Sequence, residues 1–122
     1  MAGHEQDKER EERIHMEIMP DAFGSDERAI SWHNYLSYTL EFPFSARCIV
    51  QRVSSPLVVG DKVKVVGIAP DEECEREMFV LVSWKRRKLA VPLMQLEGVQ
   101  VDEETQQAIE DWQYWVKQGY EF

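Results

Sequence analysis

The chain has 122 residues, 43% hydrophobic and 30% charged, which suits one domain with one modest core. With 23 acidic and 14 basic residues its net charge is −9, which disfavours nucleic-acid binding because that relies on basic side chains. No segment approaches the roughly 20 apolar residues that span a bilayer, and the charged N-terminus is unlike a secretory signal. We expect a cytoplasmic protein without a nucleic-acid or membrane partner.

The N-terminal segment predicts a tail and a short helix. Residues 1–13 alternate charges without an apolar period, which is typical of a disordered tail. In residues 14–18 the alternation fits a strand, but Ile14 and Ile18 also fit one helix face. We favour the helix, with a break near Pro20 and Gly24.

A longer amphipathic helix is predicted over residues 25–41. Ser25 can cap it, and acidic residues follow in its first turn, where the helix dipole favours them. Pro43 ends the helix because the residue before a proline avoids the helical region. Apolar residues recur at three- and four-residue steps, at Ala29, Trp32, Leu36 and Leu40.

From residue 45 to 101 the apolar period changes to two, which is typical of strands. Turn residues separate the alternating runs, so we predict four or five short strands that close into a small β-barrel without exposed edges. In residues 89–96 a strand ends at Pro92 and a short helical turn follows, which resembles the close of SH3-like barrels. The runs begin at Ala46, Val63, Met78 and Leu89.

The last predicted element is a helix that Asp102 begins and Gly119 ends. Its apolar stripe is typical of a core-facing helix and consists of Ala108, Ile109, Trp112, Trp115 and Val116. The predicted fold class is therefore α+β: a small SH3-like barrel over about residues 45–101, flanked by N-terminal and C-terminal amphipathic helices. Residues 14–122 form a single domain.

Acidic residues are concentrated between two predicted strands. Residues 71–77 hold five acids and one base. A flexible loop can fold several oxygens around one ion, and calcium accepts about 6–8 oxygen ligands in irregular geometry. The loop is therefore a candidate calcium site, although a solvated hairpin loop explains the same composition.

Other chemistry lacks its sequence signature. No two aspartates lie two positions apart, which excludes an EF-hand loop, and the scattered histidines and two cysteines do not form a zinc motif. Cys48 fits a core position, Cys74 lies among acids that raise the pKa of a thiol, and His33 fits a packed residue. No phosphate-cradling loop or nucleophile motif occurs, so we predict no enzyme. The basic residues 85–88 could touch phosphate, but they are one short cluster in an acidic chain.

An ordered succession of short motifs resembles a known family. The N-terminal motifs are Asp21-Ala22-Phe23-Gly24, Asp26-Glu27-Arg28-Ala29, Trp32, Tyr35-Leu36, Leu40 and Phe42-Pro43-Phe44. The later ones are Ala46-Arg47-Cys48, Ser55-Pro56-Leu57, Val59-Gly60-Asp61, Ala90-Val91-Pro92-Leu93, Gln95-Leu96, Asp102-Glu103-Glu104-Thr105, Ala108-Ile109-Glu110-Asp111-Trp112 and Gly119-Tyr120-Glu121-Phe122. Over residues 12–122 the chain is similar to the bacterial and cyanobacterial calcium-binding proteins of the CcbP type.

The resemblance implies a small α/β protein that binds Ca²⁺ through scattered oxygens rather than an EF-hand, as an intracellular buffer or sequestering protein. In the family pattern an acidic pair commonly follows Tyr-Leu, but this chain has Ser37 and Tyr38 there, so we expect weaker calcium binding. The candidate ligands are Asp71, Glu72 and Glu73, followed by Glu41, Asp26 and Asp21.

The alternative is an SH3-like interaction module that binds a protein partner and no metal. In that interpretation the aromatic side chains of Trp32, Tyr35, Tyr38 and Trp84 contact the partner. The loss of the acidic pair at Ser37 and Tyr38 favours this alternative slightly. The sequence does not indicate the oligomeric state.

Overall fold

A computed structural model describes residues 7–19 and 24–119 of the chain. Three α-helices flank one five-stranded antiparallel sheet, which confirms the α+β class. The helices are α1 (Lys8–Arg13), continued by a π-helical turn at Ile14–Ile18, α2 (Ser25–Thr39) and α3 (Glu103–Lys117). The strands are β1 (Phe44–Cys48), β2 (Lys62–Ile68), β3 (Phe79–Trp84), β4 (Arg87–Pro92) and β5 (Leu96–Val99).

The strand order is β4-β3-β2-β1-β5, and the predicted closed barrel is not confirmed. Within the described residues, β4 and β5 are the two edges of an open sheet and do not pair with each other. The short helical turn expected after Pro92 is present as a 3₁₀ turn at Leu93–Gln95. The alternation of apolar residues predicts which face each strand buries, but it does not determine whether edge strands meet.

The period-two pattern of the strands corresponds to their burial. In β1, Phe44, Ala46 and Cys48 are buried, while the residues between them are exposed. The two free cysteines, Cys48 and Cys74, lie in this core, where burial raises the pKa of both thiols and keeps them protonated. For Cys74 the neighbouring acids act in the same direction as burial, but more weakly.

Helix α2 is positioned by its ends and by its buried face. Its N-cap is Gly24 rather than the predicted Ser25, and the Gly24 amide donates a hydrogen bond to Glu27 Oε1 at 3.2 Å. The helix ends at Thr39, two residues before the predicted boundary. Trp32 and Leu36 are fully buried on its inner face.

Helix α3 is confirmed at both predicted boundaries. Asp102 is its N-cap residue, and Gly119 follows its end with a φ of +81°, which glycine adopts without strain. Trp112 and Trp115 of α3 pack against Trp32, with ring centroids 5.1 and 5.7 Å apart.

An α-helix occupies Lys8–Arg13, where a disordered tail is predicted; residues 1–6 of that segment lie outside the described residues. The Asp7 side chain caps it by accepting a hydrogen bond from the Arg10 amide at 3.0 Å. The following Ile14 and Ile18 are buried in the core, as expected for the helical interpretation of that segment. The charges of this segment have partners on α3, far away in the sequence.

The carboxylate of Asp111 on α3 is the centre of this docking. It is fully buried and contacts the Arg13 guanidinium, Arg10 Nη1 at 3.5 Å, and the Tyr35 hydroxyl, which donates to it at 3.1 Å. Burial raises the pKa of Asp111, and the two guanidinium groups and the hydroxyl offset part of that rise. Asp111 therefore joins three helices through one charge.

We predict that Arg13→Ala lowers the free energy of unfolding by about 2 to 3 kcal/mol near neutral pH, because it removes the main partner of a buried carboxylate. The substitution raises the pKa of Asp111 further, so the folded variant takes up a proton and its deficit shrinks as the pH falls to about 5. Urea denaturation at several pH values measures both effects.

The matched control is Arg47→Ala, which removes an exposed ion pair with Glu97 and should cost less than about 1 kcal/mol. The double variant Arg13→Ala with Asp111→Asn should lose less than Arg13→Ala alone. Equal losses for the Arg13 and Arg47 variants would show that the buried pair does not hold the N-terminal helix.

The connection between β3 and β4 is a two-residue turn. Lys85 and Arg86 have φ values of +46° and +68°, a combination that matches a type I′ turn. Asparagine and glycine adopt these angles readily, whereas side chains such as lysine and arginine are strained there.

Replacing Lys85 with Asn and Arg86 with Gly should raise the free energy of unfolding by about 1 kcal/mol, because the new residues suit the turn. Thermal denaturation of the double variant measures this. Lys62→Asn with Lys64→Gly, placed in the middle of the sheet, should be destabilising. An unchanged or lower melting temperature for the turn variant would contradict the conclusion that Lys85 and Arg86 are strained.

Candidate metal site

The first two turns of α2 and the loop between β2 and β3 enclose a cleft of about 310 Å³. Four carboxylates and two apolar side chains line it: Asp26, Ala29, Ile30, Asp71, Glu72 and Glu75. Residues 45 positions apart in the sequence therefore meet at one place. The apolar side chains come from the helix, and most of the charge comes from the loop.

A side-chain contact joins the two walls of the cleft, and backbone contacts shape the loop. His33 Nε2 on α2 lies 2.7 Å from the carbonyl oxygen of Ala69, at the start of the loop, so His33 is a packed residue as expected. The loop continues as a 3₁₀ turn at Asp71–Glu73, which the amide of Cys74 closes by donating to the Asp71 carbonyl at 3.0 Å. The Phe79 amide donates to the buried sulfur of Cys74 at 3.4 Å. The cysteine thus anchors the loop rather than reacting.

The pKa values of two neighbouring cleft carboxyl groups shift in opposite directions. Hydrogen bonding between Asp71 and Glu72 lowers the pKa of Asp71 and raises the pKa of Glu72 above its usual value of 4.5. Such an opposite pair of shifts is typical of two carboxyl groups close enough to share a proton. A divalent cation between two such carboxylates would relieve the repulsion between their charges.

The cleft is not a closed metal cage. Within residues 7–19 and 24–119, no three histidine, cysteine or acidic side chains converge closely enough to hold a metal ion. Glu77, at the end of the acidic loop, is paired instead with Arg52, whose Nη2 lies 2.8 Å from its Oε1. A cation in the cleft would have to draw the flanking side chains inward.

The structure brings together three of the six predicted ligands, Asp26, Asp71 and Glu72. Glu73 is exposed but does not line the cleft, and Glu41 lies in a separate depression beside Asp102. Asp21 lies outside the described residues. Glu75 lines the cleft, although it is not among the predicted ligands. Its position three residues after Glu72 is the sequence signal that could have identified it.

Two of the four aromatic residues of the alternative interpretation, Trp32 and Tyr35, have their side chains engaged inside the protein. Trp32 is fully buried, and the hydroxyl of half-buried Tyr35 is bound to Asp111. Tyr38 is 93% exposed on the last turn of α2, next to Ser37, whose hydroxyl lies 3.5 Å from His33 Nδ1. An interaction module built on these aromatic residues is therefore not supported.

Fold and site together define a small acidic α+β protein with an oxygen-lined cleft. The model of the calcium-binding CcbP family matches residues 12–116, so the chain belongs to this family and the resemblance seen in the sequence is confirmed.

Solved structures give the same result. The chain is 41% identical to CcbP of Anabaena, with a TM-score of 0.88 and all of both chains covered. It is 40% identical to a calcium binding protein in the calcium-binding form, with a TM-score of 0.86 and the same coverage. No curated protein matches the chain. In the described part of the chain, no helix is both long and apolar enough to span a bilayer.

Proposed function

We propose that this protein binds calcium in the cleft between α2 and the β2–β3 loop, through Asp26, Asp71, Glu72 and Glu75, and acts as a cytoplasmic calcium buffer or sequestering protein. The observation that carries the proposal is that carboxylates from two separate elements line one cleft in a protein of a calcium-binding family. The similarity to a protein in its calcium-binding form supports it.

The donor set fits calcium in type and charge. All four charged side chains offer hard oxygen ligands, and together they can supply up to about eight oxygens, the upper end of what calcium takes. Their spacing does not follow an EF-hand loop, because one ligand comes from a helix and three from a distant 3₁₀ turn and its extension. We therefore propose a non-EF-hand site.

The exposed state of the ligands indicates moderate affinity. Asp26, Asp71, Glu72 and Glu75 are all exposed, so each side chain must lose conformational freedom when it converges on an ion. A site that is ordered by its ion binds more weakly than a preformed cage with the same charge. Moderate affinity suits a buffer, which has to release calcium as well as bind it.

The same exposure favours binding over catalysis. A carboxyl group that acts as a general acid usually owes its raised pKa to a buried, water-excluded pocket. The raised pKa of Glu72 has a different cause, its hydrogen bond to Asp71. We propose no enzymatic role for the cleft.

We predict that Asp71→Asn combined with Glu72→Gln weakens calcium binding at least about tenfold, because the cleft loses half of its negative charge. Glu73→Gln is the matched control: it removes one charge from the same turn but not from the cleft, and should change affinity less than about threefold. Isothermal titration calorimetry with calcium measures all three proteins.

An equal loss for Glu73→Gln would show that only the overall charge of the loop matters. Unchanged affinity in the double variant would place the calcium site elsewhere, for example at the depression that Glu41 and Asp102 line.

Calcium affinity should also fall as the pH is lowered from about 7 towards 5, because Glu72 retains its proton to a higher pH than an ordinary glutamate and must lose it to bind the ion. In Glu72→Gln the affinity should be lower at neutral pH and depend less on pH. Calorimetric calcium titrations in buffers with different heats of ionisation also measure how many protons are released when calcium binds. A pH profile that is identical in both proteins would contradict the role of Glu72.

A further inference from the structure

We propose that the free edge of β4 is a docking site for an acidic, extended peptide segment of another protein, which adds to the sheet as a sixth strand. The surface consists of the β3–β4 turn and the edge strand, residues 85–90. It is separate from the calcium cleft: β3 joins the two regions, and its six residues span about 17 Å.

The register of the hairpin shows which backbone groups are free. Trp84 and Arg87 flank the two-residue turn and form its hydrogen-bonded closing pair. Pairs along an antiparallel ladder alternate, so Lys88 opposite Ser83 and Ala90 opposite Leu81 are non-hydrogen-bonded pairs. The amide and carbonyl groups of Lys88 and Ala90 therefore point away from β3.

No strand uses these groups within the described residues, because β4 is the last strand of the sheet. Both Lys88 and Ala90 are exposed, so the edge is open to solvent. An edge of this kind offers the main-chain hydrogen bonds that strand addition requires.

The charge of the surface selects the partner. Lys85, Arg86, Arg87 and Lys88 form the densest basic cluster in a chain of net charge −9. In the described part of the chain none of the four forms a salt bridge, and the Lys85 ammonium instead lies 5.8 Å from the centre of the Trp84 ring. Four cations without a salt bridge in the described residues, beside open backbone groups, are complementary to an acidic strand.

Two other partners fit this surface less well. Pairing of two β4 edges from two copies of this chain would bring lysine and arginine clusters together, which is repulsive. A nucleic acid needs a wider basic surface, and the acidic remainder of the molecule repels its backbone. The same basic residues could instead protect the sheet edge from aggregation. That explanation predicts that no peptide strand binds to the edge.

The test uses an acetylated and amidated heptapeptide of alternating glutamate and valine. Proton–nitrogen NMR spectra of the full chain should show shifts at residues 85–90, and hydrogen exchange of the Lys88 and Ala90 amides should slow at least about tenfold at saturating peptide. Methylating one alternate set of peptide amides should abolish binding, whereas methylating the other set should leave it intact, because a strand pairs along one edge only.

Arg87→Glu with Lys88→Glu should weaken the peptide at least about tenfold. The matched control is Lys62→Glu with Lys64→Glu on β2, a strand with both edges paired, and it should have little effect. The docking site is overturned if exchange at Lys88 and Ala90 is unchanged, or if both methylated peptides bind equally. Tighter binding of a single-stranded oligonucleotide at residues 85–88 would also overturn it.

Discussion

The packing of Trp32 against Trp112 and Trp115 fixes the position of α2, and the rest of the molecule depends on that position. One end of α2 provides Asp26 to the cleft, and the middle of the helix contacts the acidic loop through His33. Tyr35, three residues after Trp32, reaches the buried Asp111. The aromatic packing between α2 and α3 thus helps to place the cleft on one side of α2 and the N-terminal helix on the other.

Three different electrostatic environments coexist in this small acidic protein. The cleft acids are exposed and repel one another, so a bound divalent cation would stabilise the fold by mass action. Asp111 is buried and compensated by arginines, which makes it a structural charge. The cations of the β3–β4 turn form no salt bridge within the described residues and face solvent. The net charge of −9 is therefore a poor guide to the local charge of any of these three regions. The arrangement of the charged groups in each region determines what it can bind.

Much of the fold could be predicted because its signals are local. The boundaries of α3, the approximate starts of four strands and the turn after Pro92 follow from capping residues and period-two burial. The N-terminal helix was not predicted, because it depends on distant partners as well as on its Asp7 cap: Arg10 and Arg13 contact Asp111 about a hundred positions later. Barrel closure likewise depends on the curvature of the sheet, which alternation does not encode.

The candidate site was predictable by region but not by residue. The density of acids marked the loop at residues 71–77, and the helix dipole accounted for Asp26 in the first turn of α2. Which acids of a 3₁₀ turn face the helix depends on how the loop is anchored, and that anchor is the buried Cys74. Glu73 and Glu75 lie on either side of Cys74 and have the same side chain, but only Glu75 lines the cleft.

The contact between the Asp7 amide and the Tyr114 hydroxyl joins residues 107 positions apart, and the tryptophan cluster joins residues about 80 apart. During synthesis on the ribosome, the first helix and α2 emerge long before α3 and cannot complete the burial of their inner faces until it arrives. The nascent chain must therefore hold Ile14, Ile18 and Trp32 in contact with water or with a chaperone. The core is therefore completed only after α3 has been synthesised.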